Sequence, residues 1–157
     1  MDAAELFRRY GNRVYRLAWS YTGCRQDAED VTQTVFLKLL EGRARLEEGK
    51  ERAWLFQVTV DECRSLWRTL SRHRCEPLEE AAELAAPEEQ SMLSAVMDMP
   101  ARDRAVLYLF YYEGYSTREV GELLGIRQTA VTTRLQRARE KLKKQLEQEG
   151  TSHETGV

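Results

Sequence analysis

Leu6, Tyr10, Val14, Leu17 and Tyr21 recur at steps of three and four, which predicts a helix over about residues 3–21 with one apolar face. Gly23 breaks it. A second helix is expected over about 27–40, with Ala28, Val31, Val35 and Leu39 as its inner stripe. Asp27, Glu29 and Asp30 crowd its first turn, where the helix dipole favours negative charge. Residues 42–49 read as a polar turn. A third helix is expected over about 52–70. Phe56, Val60, Cys63 and Trp67 form its core stripe, with Leu55, Val58 and Leu66 alongside and Gln57, Asp61, Arg64, Arg68 and Arg72 on the opposite face.

Residues 76–90 hold two prolines, six acids and no aromatic side chain, and so read as a solvated linker. The pattern then becomes more sharply punctuated. A short helix over 91–99 turns Leu93, Val96 and Met97 inward. Pro100 opens the next, which carries Val106, Leu107, Leu109 and Phe110 and stops at Gly114, a natural position for a left-handed helix end. Ser116-Thr117-Arg118-Glu119 is a capping box, and Tyr115 with Val120 fits the hydrophobic staple around it. The helix begun there ends at Gly125. The last helix is expected over about 128–146, with Val131, Leu135, Ala138, Leu142 and Leu146 as its seam. Two helices joined by a tight glycine turn, the second long and basic, make the layout of a helix-turn-helix. The expected fold is all-α, in two small helical domains. One spans 1–72, an acidic linker covers 73–91, the helix-turn-helix domain covers 92–146, and 147–157 is a polar tail.

The formal net charge of −2 over 157 residues looks wrong for a nucleic-acid binder until it is divided along the chain. Residues 1–72 are net +2, residues 73–91 net −5, and residues 92–157 net +1. From Arg127 to Lys144 there are seven basic groups and one acid. Overall neutrality hides an acidic linker and a basic stripe. No apolar run approaches the ~20 residues needed to cross a bilayer. The acid-bearing start lacks the apolar core of a secretory signal, so a cytoplasmic protein without membrane insertion is expected. Three cysteines, Cys24, Cys63 and Cys75, are an odd number without a C-x-x-C pair. They argue against a disulfide framework or zinc knuckle and for ordinary thiols.

No phosphate-binding loop, dinucleotide fingerprint, zinc-protease or nucleophile-elbow motif is present, so neither enzyme activity, metal nor cofactor is expected. The helix-turn-helix is more informative. With its seam inward, the last helix presents Gln128, Thr129, Thr132, Thr133 and Gln136 outward near its start, side chains that hydrogen-bond base edges in a major groove. Arg134, Arg137 and Lys141 flank them at spacings suited to phosphates. The bland alternative is a charged, solvated terminal helix. In the third helix, Trp54, Phe56 and Trp67 beside arginines suit stacking of unpaired bases, although aromatic residues at helical spacing are more often core.

Both halves resemble one family, the sigma-70 family of bacterial RNA polymerase sigma factors, in its extracytoplasmic-function (ECF) group. The stretch from Gln26 to Leu37 (QDAEDVTQTVFL) and Ala53-Trp54-Leu55-Phe56-Gln57-Val58-Thr59 resemble its region 2. Met99-Pro100, Tyr112-Glu113-Gly114-Tyr115-Ser116, Leu124-Gly125-Ile126 and Val131 through Arg139 resemble its region 4. The resemblance covers roughly residues 3–146. It implies a promoter-specificity subunit, with RNA polymerase core and promoter DNA as partners and an anti-sigma factor as an expected regulator. Asp30, Gln33 and Leu37 would bind core polymerase. Arg43, Arg45, Lys50, Arg64 and Arg68 would serve the −10 element, and the last helix would enter the −35 major groove. Asp61 and Ser65 depart from the family's frequent Asn and Asp, which implies an altered −10 preference. Two other readings stay open at this point: a stand-alone helix-turn-helix regulator, and an all-helical interaction adaptor.

Overall fold

The structure, a computed structural model, describes residues 2–42, 46, 48–69 and 98–155. Among the described residues it is all helix, with no strand. The elements are α1 (Ala3–Thr22), α2 (Arg25–Leu40), α3 (Glu51–Thr69), α4 (Ala101–Leu107) running into a π-helical turn (Tyr108–Tyr112), α5 (Thr117–Leu124) and α6 (Gln128–Thr155). They fall into two compact units, one carrying α1–α3 and one carrying α4 and α6.

In the first unit each of the three helices packs against the other two. Asp2 starts α1 by accepting the Glu5 N–H at 2.8 Å, and Gly23 ends it at φ 68, donating to the Trp19 carbonyl at 2.7 Å. Leu6, Tyr10, Val14, Leu17 and Tyr21 are all buried, as their spacing predicts. They meet Ala28, Val31, Val35, Phe36 and Leu39 of α2, and Leu55, Phe56, Val60 and Cys63 of α3. Burying a large apolar side chain contributes roughly 1.5–3 kcal/mol, so this seam dominates the stability of the unit. Thr59 is also fully buried and satisfies its hydroxyl on the Leu55 carbonyl at 2.6 Å. A Lys38–Glu62 ion pair links α2 to α3 at the surface.

Three expectations are corrected here. Trp67, placed by period on the core stripe of α3, is 52% exposed. Period selects a face, but only a packed neighbour turns a face into core, and the last turn of α3 leaves the indole half in solvent. Helix α2 begins at Arg25, two residues earlier than expected, and Asp27 in its first turn is buried. Cys24 is disulfide-bonded, while Cys63 is a free buried thiol. An odd cysteine count excludes complete pairing but not a single pair.

In the second unit, Met99, Ala105, Val106, Leu107 and Leu109 are buried, and α4 packs against α6. The expected single helix to Gly114 instead widens after Leu107. The Glu113 N–H reaches back five residues to the Tyr108 carbonyl (3.2 Å), and the Tyr115 N–H six residues to that of Leu109 (3.1 Å). Gly114, at φ 74, closes this end. Such an inserted residue rotates the side chains after it about the helix axis, leaving Tyr111 54% and Tyr112 76% exposed. The expected short helix over 91–99 (Leu93, Val96, Met97), the linker over 73–91, Arg72 and the side chain of Leu146 lie outside the described residues.

Candidate nucleic-acid interface

The capping box is closed in both directions. Ser116 Oγ accepts the Glu119 N–H at 3.1 Å, and Glu119 Oε1 accepts the Ser116 N–H at 3.1 Å. Tyr115 and Val120 are both buried beside it. Helix α5 then runs two turns to Gly125, whose φ of 68 lies in the left-handed region that favours glycine. The turn is held by the Ile126 N–H donating to the Gly121 carbonyl at 3.0 Å. A side chain added at Gly121 would put its Cβ 2.8 Å from the Ile126 carbonyl oxygen. The backbone approach that sets the two helices therefore requires a glycine at this position as well.

Helix α6 starts at Gln128, with the Val131 N–H on the Arg127 carbonyl at 3.1 Å. Val131, Leu135 and Ala138 are buried and Leu142 is half-buried, so the predicted seam holds as far as Leu142. Gln128, Thr129, Thr132, Thr133, Gln136 and Arg137 are exposed along the other side, and Arg134 is half-buried. At 28 residues, about 42 Å, the helix is long enough to reach well past a groove.

Two of the expected DNA-contacting groups are engaged within the unit. Gln128 Nε2 donates to Thr117 Oγ1 at 2.9 Å, tying the start of α6 to the start of α5. Lys141 Nζ donates to the Asp98 carbonyl at 3.0 Å, bracing α6 against the approach to α4. Arg139, which periodicity alone did not single out, lies over the rings of Phe110 and Tyr111 (5.9 and 5.6 Å), with its Nε 2.5 Å from the Tyr111 hydroxyl. The π-helical turn that aims Tyr111 at Arg139 is not visible in a hydrophobic pattern.

In the first unit, Asp30, Gln33 and Leu37 are exposed along one side of α2, and Leu40 extends that side with 66% exposure. Phe7 of α1 is 55% exposed and meets Phe36 edge-on at 5.0 Å. On α3, Arg68 is exposed and Arg64 and Trp54 half-buried, while Phe56 is fully buried and so unavailable for stacking. Lys50 is exposed, and Arg43 and Arg45 lie outside the described residues. Among the described residues no three His, Cys, Asp or Glu side chains gather to hold a metal, and no helix is long and apolar enough to cross a membrane. Burial pushes the Cys63 thiol up to about 12, helped by nearby Glu62 and Asp27, which makes it a core group rather than a nucleophile.

One chain thus carries a three-helix unit and a glycine-hinged helix-turn-helix with a basic second helix, the layout that the helix-turn-helix class of proteins shares. Sigma-70 region 2 matches residues 6–73 and sigma-70 region 4 matches residues 89–142. The chain belongs to the sigma-70 family. It is 32% identical over 152 residues to the ECF RNA polymerase sigma factor SigE of Mycolicibacterium smegmatis, covering 88% of this chain and 59% of that protein. To the ECF RNA polymerase sigma factor SigM of Mycobacterium tuberculosis it is 28% identical over 144 residues, covering 88% of this chain and 74% of that protein. The fold is similar to that of the sigma factor RpoE in complex with the anti-sigma factor NepR from Bartonella quintana. The TM-score is 0.73 at 21% identity, over 92% of this chain and 96% of that one. It is also similar to CnrH in complex with the cytosolic domain of CnrY, with a TM-score of 0.65 at 28% identity, covering 92% and 87%.

Proposed function

We propose that this chain is a promoter-specificity subunit that directs bacterial RNA polymerase core to −35 and −10 elements and initiates transcription there. The observation that carries this reading is the closed Ser116–Glu119 box, followed by the Gly121–Ile126 turn and a helix with a polar outward face, in a chain that also holds the α1–α3 bundle. Family membership supports it. Residues 1–72 serve core binding and the −10 element, 73–91 form the linker, 92–146 serve the −35 element and 147–157 are a tail. Gln128, Thr129, Thr132, Thr133 and Gln136 face bases. Arg134, Arg137 and Lys141 face phosphates, Lys141 exchanging its backbone partner for one. Arg43, Arg45, Lys50, Arg64 and Arg68 serve the −10 strand, and Asp30, Gln33 and Leu37 meet the polymerase.

The chain performs no bond-making step of its own; it positions DNA for the polymerase, in the cytoplasm where that enzyme works. One structural neighbour is a sigma factor solved with an anti-sigma factor, and another, CnrH, was solved with the cytosolic domain of CnrY, which supports a protein inhibitor as a further partner. The test mixes the purified chain with bacterial core polymerase and a promoter library and reads transcript starts. Promoter-dependent initiation that neither component gives alone is expected. Tight specific DNA binding by the chain alone, with no added initiation, would instead identify a stand-alone regulator; neither activity would identify an adaptor.

A further inference from the structure

We infer that Thr132 and Thr133 read the −35 element as hydrogen-bond acceptors and methyl contacts, selecting adenine, cytosine or thymine where they reach and refusing guanine. The inference rests on α6 being the major-groove helix. Both threonines are exposed in the first turns of α6. Thr132 Oγ1 donates to the Gln128 carbonyl at 3.1 Å, and Thr133 Oγ1 donates to the Thr129 carbonyl at 2.9 Å. A hydroxyl has a single hydrogen, and in both residues it is already given to the preceding turn. What remains for a ligand is the oxygen's lone pairs and the γ-methyl group. Turning either hydrogen outward would break a bond already made.

The major-groove edges make this state selective. Adenine N6 and cytosine N4 carry amino donors, thymine carries a methyl group, and guanine shows only the acceptors N7 and O6. An acceptor facing N7 and O6 finds no partner and loses water. The neighbouring outward positions reinforce the bias. Gln128, Thr129 and Gln136 supply no guanidinium or ammonium group for the frequent bidentate guanine contact, and Gln is the amide suited to adenine. Gln128 is further tethered through Nε2 to Thr117. As adjacent helix positions about 100° apart, Thr132 and Thr133 address different bases, so the two preferences are separable.

The test uses holoenzyme, the full chain with bacterial core polymerase, against promoters randomised across the −35 element. Thr132→Val and Thr133→Val keep the methyl and remove the acceptor; Thr132→Ser and Thr133→Ser keep the acceptor and remove the methyl. Each valine variant is expected to lose adenine or cytosine preference at one position by at least about five-fold, the low end of one base-edge contact, with thymine unaffected. Each serine variant is expected to lose thymine preference only. Arg137→Ala, a phosphate contact, is expected to weaken all sequences alike. An unchanged ranking in both valine variants would overturn the inference while leaving the groove assignment standing. Absence of any −35 preference in the wild-type holoenzyme would overturn the groove assignment and the inference with it.

Discussion

Cys63 illustrates what burial does to one group. Its thiol has no solvent exposure, and desolvation, followed by the fields of Glu62 and Asp27, pushes it up to about 12. The folded chain therefore holds this proton to a higher pH than the unfolded chain does. The stability it contributes is whole below the thiol's ordinary value and drains between about pH 9 and pH 12. In denaturant melts across that window, wild type is expected to lose up to about 1.4 kcal/mol per pH unit more than Cys63→Ala. Parallel alkaline profiles for the two would show that the thiol does not titrate as its burial requires. At neutral pH the native thiol should resist alkylation and react only when the first unit unfolds.

At the scale of an element, the helix-turn-helix depends on backbone approach more than on side-chain bulk. A mid-helix glycine normally costs about 1 kcal/mol relative to alanine, so Gly121→Ala would stabilise an isolated α5. In the folded unit the added Cβ stands 2.8 Å from the Ile126 carbonyl oxygen and 3.6 Å from Val131 Cγ2. A backbone oxygen has no rotamer to retreat into. The substitution is therefore expected to destabilise the unit by about 1–3 kcal/mol and to shift α6 relative to α5. Thermal melting of the chain, with −35 binding by the holoenzyme, checks it. A Gly121→Ala protein that melts higher and binds normally would mean that the turn relaxes at no cost.

At the scale of the whole molecule, a net charge of −2 supplies little general attraction to DNA, and the basic stripe of α6 is offset by acids elsewhere. In the proposed function, assembly with polymerase supplies the rest. The exposed Asp30, Gln33, Leu37 and Leu40 side of α2 is the surface proposed for it. Asp30 is exposed on a helix whose buried side it does not touch, so Asp30→Lys is expected to leave melting unchanged while lowering affinity for core polymerase roughly ten-fold, about 1.4 kcal/mol. Titration of labelled core measures this. Unaltered affinity would move the polymerase contact off this side of α2.

The apolar period by itself determined the inner faces of α1, α2 and α6, because a 3.6-residue helix has only one way to bury Leu6, Tyr10 and Val14, or Val131, Leu135 and Ala138, together. Local chemistry determined the capping box and the glycine ends at Gly23, Gly114 and Gly125, where the required hydrogen bonds and left-handed backbone involve residues a few positions apart. Motif order also pointed to the proposed DNA face, of which the structure shows that Gln128, Thr129, Thr132, Thr133, Gln136 and Arg137 are exposed. Tertiary structure decided the rest. It left Trp67 outside the core and widened the chain into a π-helical turn that presents Tyr111 to Arg139. It also drew Gln128 to Thr117 and Lys141 to Asp98. Each of these turns on which group from a distant part of the chain arrives beside a side chain. Periodicity records the direction a residue faces along its own helix, and it carries no information about what stands opposite.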